Sequence, residues 1–137
     1  MRKLNVIVAA AGVCTLSFAS QGANFDDSSE LICATMNSVG CGWSGECEQG
    51  ESESINVPLF YWINVPERVI RATRPDGTDL LTKIDNVQQL EGGLVLQGVE
   101  GERGWSVMIS EASGKMVATA SGNEEAFILF GACTPDD

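Results

Sequence analysis

Gly104-Trp105-Ser106-Val107-Met108-Ile109-Ser110 sets the large apolar Trp105, Val107 and Ile109 on alternate positions, with Ser106, Met108 and Ser110 between them. A period of two is the pattern of a strand with one buried face. The serine-bearing face belongs in water, so Trp105, Val107 and Ile109 are expected in the core. Glu100-Gly101-Glu102-Arg103-Gly104 precedes this strand as a turn, and Ala112-Ser113-Gly114 follows it as another. Moving toward the C-terminus, Lys115–Ser121 reads as a strand, Gly122-Asn123-Glu124-Glu125 as a turn, and Ala126–Ala132 as the last strand. Moving toward the N-terminus, Leu94–Val99 follows the turn Glu91-Gly92-Gly93, and Val87–Leu90 is a short, weak strand. Thr78–Ile84, Val69–Arg74 and Leu59–Asn64 complete the series. Arg74-Pro75-Asp76-Gly77 has the Pro and Gly placement of a type I turn. Short strands at even spacing, joined by Gly-rich turns, predict an antiparallel meander. Such a sheet must curl to bury its face. The expected fold is all-β: a meander closing into a small barrel or barrel-like sandwich, with a Greek-key sandwich as the alternative.

Phe60, Trp62, Trp105, Phe127 and Phe130 are the large side chains available to fill that interior. Burying each contributes roughly 2–3 kcal/mol. All five are expected in the core. The alternative is that one or two of them line a ligand pocket.

The N-terminal segment reads as an export signal. Arg2 and Lys3 precede Leu4–Phe18, an uncharged run of 15 residues. A spanning helix needs about 20. Ser17, Ala19, Ser20, Gly22 and Ala23 then supply small residues for cleavage between 19 and 23. A buried N-terminal helix is the competing reading. Lipidation at Cys14 is disfavoured by Val13, where a small residue is expected. The rest, 24–137, is one domain: a leader and disulfide loop over 24–56, then the meander over 57–133. The four glycines among Cys33–Gly50 predict a cross-linked loop there and no long strand.

Without Cys14, four cysteines remain, an even number suited to an oxidising compartment. Of three possible pairings, Cys33–Cys133 with Cys41–Cys47 is expected. Cys41 and Cys47 can close locally, and Cys33 meets Cys133 if the first strand lies beside the last. Cys-x5-Cys is too wide for the usual zinc spacing, and no Cys-x-x-Cys is present.

The 137 residues carry 8 Lys+Arg, 19 Asp+Glu and no His, for a net charge of −11. That balance excludes a basic nucleic-acid surface and a polybasic membrane-surface protein. The missing histidine removes Ser-His-Asp catalysis and His-ligated metals. Glu46, Glu48, Glu51 and Glu53 cluster beside the cysteines but lack the Asp-x-Asp-x-Asp-Gly calcium pattern, so they read as a solvated acidic loop. Glu100, Glu102, Glu124 and Glu125 read the same way at turns. A Ser-Lys centre would need Lys83 or Lys115 buried beside a serine, and both lie in half-exposed strand patterns.

Asn56-Val57-Pro58, Leu94-Val95-Leu96-Gln97-Gly98, Gly104-Trp105-Ser106 and the ending Phe130-Gly131-Ala132-Cys133-Thr134-Pro135 resemble a group of small exported proteobacterial proteins of unknown function. The resemblance covers about Cys33 to Pro135. It implies that Gly131 and Cys133 serve packing, and it carries no activity or cofactor. The expected function is a non-enzymatic, periplasmic or secreted binding or interaction module, with no catalytic, cofactor or metal residues. Net acidity favours a cationic protein or peptide as partner. The alternatives are a lipocalin-like carrier of a small apolar ligand, or an inhibitor of a cationic secreted enzyme such as lysozyme. Nucleic-acid binding and a membrane span are not expected.

Overall fold

The computed structural model describes residues 25–28 and 30–136. The segment 1–23, expected as an export signal, lies outside the described residues. The strands are β1 (Glu30–Gly42), β2 (Cys47–Gly50), β3 (Phe60–Asn64), β4 (Val69–Thr73), β5 (Asp79–Lys83), β6 (Asn86–Leu90), β7 (Gly93–Glu100), β8 (Arg103–Ser110), β9 (Lys115–Ser121) and β10 (Glu125–Pro135). A single turn of 3-10 helix occupies Ser52–Ile55, between β2 and β3. All strand pairs are antiparallel. They form one sheet in the order β5-β4-β3-β1-β10-β9-β8-β7-β6, with β2 attached to β1. The sheet is curled into a half-barrel, and two packed sheets of a Greek-key sandwich do not form.

Chain length explains the curl. β5 and β6 stand at opposite ends of the strand order, yet only Ile84 and Asp85 separate them. Lys83 and Asn86 are three residue steps apart, which span at most about 11 Å, so the two ends must meet. The meeting is visible in hydrogen bonds. The Ile84 N–H donates to Arg68 O beside β4 at 2.9 Å, and the next N–H, of Asp85, donates to Gln97 O on β7 at 2.9 Å. The chain thus leaves β4 on one side and joins β7 on the other within two residues.

The sequence expectation fails over Cys33–Gly50. This stretch is not a loop: it contains most of β1, at 13 residues the longest strand. β1 pairs with β10 along one side, and with β3 and then β2 along the other. Gly42 and Gly45 serve the turn into β2, but Gly40, within β1, marks a close approach. A Cβ on Gly40 would come within 3.3 Å of the Phe127 ring. The ladder to β10 shifts register between Thr35 and Asn37, which turns the extra residue, Met36, outward. The leader also differs from expectation, because Phe25 is buried in the core.

Both expected disulfides are present. Cys33–Cys133 joins β1 to β10, and Cys41–Cys47 joins β1 to β2, each between residues directly opposite in the ladder.

The core is aliphatic. Leu31, Ile63, Ile84, Leu94, Leu96 and Ile109 are fully buried, and Phe25, Val65, Ile70, Val107 and Met116 pack with them. Phe60, Trp62 and Phe130, expected in the core, are instead 46%, 43% and 43% exposed. The pairing decides this. Leu31 opposite Ile63 and Cys33 opposite Tyr61 turn Ile63 and Tyr61 inward. The period of two then sends Phe60 and Trp62 to the outer face. On β10, Leu129 and Cys133 point inward, so Phe130 points out. Of the five aromatics, Trp105 and Phe127 remain on the inner side, half-buried.

Candidate functional site

The inward positions shrink from one end of the half-barrel to the other. β7 runs Leu94, Leu96, Gly98. β9 runs Met116, Ala118, Ala120. Large side chains fill the first end, and small ones leave the other end unfilled. There the structure has a cavity of about 310 Å3. This is at the lower limit for small-molecule sites, which are typically about 300–1,000 Å3.

Its walls are mostly apolar: Ile63, Ile70, Leu80, Val107, Met116 and Leu129, with Ala118 and Ala120 on β9. Trp105 and Phe127 line it too, so two of the five aromatics serve as pocket residues. Trp105 lies against Gly98, directly across the ladder. A Cβ on Gly98 would overlap the indole and come within 2.7 Å of Lys83 O. Only glycine leaves room for the ring there.

Several polar groups converge on this interior. The Trp105 Nε1–H is buried and has no hydrogen-bond partner among the described residues. Buried donors are seldom left unpaired. Tyr61 is half-buried and lines the cavity. Burial pushes its phenol well above the ordinary range, only partly offset by the Arg74 guanidinium, so the hydroxyl keeps its proton at neutral pH. Thr82 Oγ1 donates to Val99 O at 3.4 Å, across the seam between β5 and β7.

Charged residues also line this end. Arg74 Nη1 donates to Asp79 O at 3.3 Å, and its Nη2 lies 3.9 Å from Glu100 Oε1. Arg103 pairs with Glu125 and sets its guanidinium 5.7 Å from the centre of the Phe127 ring.

The segment after β2 contributes Ile55, Asn56, Val57 and Pro58 to the lining. It is anchored at both margins. Thr35 donates from its N–H to Leu59 O at 2.8 Å and from its hydroxyl to Pro58 O at 3.1 Å. Asn56 takes a left-handed conformation at φ 52°. Its side-chain amide donates to Asp76 Oδ2 at 2.9 Å, and the Asp76 N–H donates back to Asn56 Oδ1 at 3.3 Å. Asp76 also accepts from the Thr78 hydroxyl and N–H, and these bonds with the Asn56 amide hold its carboxyl below the ordinary range.

The acidic cluster lies elsewhere. Glu46, Glu48, Glu51 and Glu53 are exposed, on and around β2. Lys83 and Lys115 are exposed as well. Among the described residues no three His, Cys, Asp or Glu side chains gather as a metal site, and no helix is long and apolar enough to cross a membrane.

Sequence reasoning allowed one or two of the five aromatics to line a pocket without singling out Trp105 and Phe127, and it missed Tyr61, Arg74 and the small residues that make the space. The usable signal was the shrinking series Leu94-x-Leu96-x-Gly98 beside Met116-x-Ala118-x-Ala120, which has meaning only once the strands are in register. No known protein family matches the chain, and comparison with curated proteins finds no relative.

Proposed function

We propose that the protein is an exported, non-enzymatic carrier that holds a small, mainly apolar ligand in the open end of its half-barrel. The observation that carries this reading is the cavity of about 310 Å3 with aliphatic walls and a few converging polar groups, the usual make-up of a small-molecule site. The two disulfides support an oxidising, extracytoplasmic setting, periplasmic or secreted. The export signal read over 1–23 and the resemblance to small exported proteins point the same way. A cationic partner is motivated by net charge alone, so the carrier reading has the stronger basis.

The test is calorimetric titration of the exported protein with decan-1-ol. Saturable binding of one molecule is expected. Ala118→Phe, which fills the cavity from β9, is expected to abolish it while the far-UV spectrum stays that of the parent. Equal binding by parent and variant, or binding by the parent of neither decan-1-ol nor a charged ligand of the same chain length, would refute the proposal.

A further inference from the structure

We infer that the ligand is an amphiphile with an anionic head, of the medium-chain carboxylate class, with its head at Arg74 and Tyr61 and its chain among Ile63, Ile70, Leu80, Val107 and Leu129. This rests on the carrier reading and adds the chemistry of the head group.

The first support is where the charges lie. Acidic residues outnumber basic ones 19 to 8 in the sequence. Among the cavity residues the ratio reverses: Arg74 and Arg103 stand against Glu100 alone. Arg103 is paired with Glu125, which leaves Arg74 as the cation that a ligand can engage. A carboxylate leaving water needs such a charged, hydrogen-bonding partner.

The second support is donor capacity. A guanidinium carries five N–H donors. Arg74 uses one on Asp79 O, at 3.3 Å, and its approach to Glu100 is a long 3.9 Å. Donors therefore remain for a carboxylate. Arg103 is differently placed, being committed to Glu125. The Arg74 side chain is 27% exposed, so its charge is less screened than that of a surface residue.

The third support is Tyr61. Its hydroxyl makes no hydrogen bond among the described residues, and it senses the charge of Arg74. A neutral phenol in the same cavity wall as Arg74 can donate to an anionic head. The free donors of Arg74 and the Tyr61 hydroxyl suit an acceptor-only head such as a carboxylate and not an ammonium.

The test compares three probes of one chain length at pH 7.5: decanoate and decyltrimethylammonium below their micelle concentrations, and decan-1-ol below its solubility limit. Calorimetry on the exported protein is expected to give decanoate roughly tenfold or more tighter than decanol, as a hydrogen bond to a charged group allows. The ammonium should bind weakest. Arg74→Gln should bring decanoate close to decanol, while Arg71→Gln, on the exposed outer face, should leave the preference intact. Equal affinities for decanoate and decanol, or tightest binding of the ammonium, would overturn the head-group assignment and leave the cavity reading standing. Failure of all three probes to bind would remove both.

Discussion

Ile109 and Trp62 show how little side-chain size decides position in this protein. Ile109 is fully buried between Leu94 and Met116, its partners in the flanking ladders. Trp62 is larger but stands on the outer face at 43% exposure. Ile109→Ala is expected to cost about 2–5 kcal/mol through lost burial and a residual cavity. Trp62→Ser is expected to cost under about 1 kcal/mol. Urea midpoints of the two variants check this, and near-equal midpoints would contradict the face assignment. The alternation around Trp105, Val107 and Ile109 was legible because polar neighbours mark the wet face. Leu59-Phe60-Tyr61-Trp62-Ile63 carries no such mark. Every position there is apolar, so only pairing with β1 fixes which side chains turn inward.

β1 organises the elements, and it is the strand that composition concealed. Its glycines and cysteines read as a loop, yet it holds β10 on one side and β2 and β3 on the other. The two disulfides fix different parts of that arrangement. Cys33–Cys133 spans a sequence separation of 100, whereas Cys41–Cys47 spans 6. Loop-closure entropy gives about 4.7 kcal/mol for the first and about 2 kcal/mol for the second. The double variant Cys33→Ala/Cys133→Ala is therefore expected to lower the denaturation midpoint further than Cys41→Ala/Cys47→Ala. The reverse order would contradict the role given to the β1–β10 seam. A second prediction concerns the segment beside the cavity, tethered by Asn56 and Asp76. The Asp76 carboxyl is held below its ordinary pKa in the folded state. The tether is then complete above the ordinary carboxylate range and is lost as pH falls through the lowered value. The Asn56 side-chain amide and the Val57 N–H are expected to shift in NMR spectra with a midpoint below about 3.9, the value of an unperturbed Asp. A midpoint at or above that value would contradict the tether.

At the scale of the whole molecule, one topological fact generates both the core and the cavity. The two-residue link between β5 and β6 forces the sheet to curl, and the shrinking inward residues fill only one end of the curl. The meander and its turns were legible in the sequence because hairpins are local. The curl was legible too, because so many short strands must bury a face; the place and lining of the space inside were not, because they depend on residues from β3, β4, β8, β9 and β10 meeting in three dimensions. The molecule also carries exposed apolar side chains on its outer face: Phe60, Trp62, Phe130, Val117 and Met108. An apolar ligand therefore has two surfaces to choose from, and distinguishing them tests the central claim most directly. The measurement is a titration of the exported protein with decan-1-ol, followed by methyl and backbone NMR shifts. The expected result is saturable shifts at Ile63, Leu80, Val107, Met116 and Leu129, with Val117 and Met108 unmoved. Shifts confined to Val117, Met108 and their neighbours on the outer face would contradict an interior site.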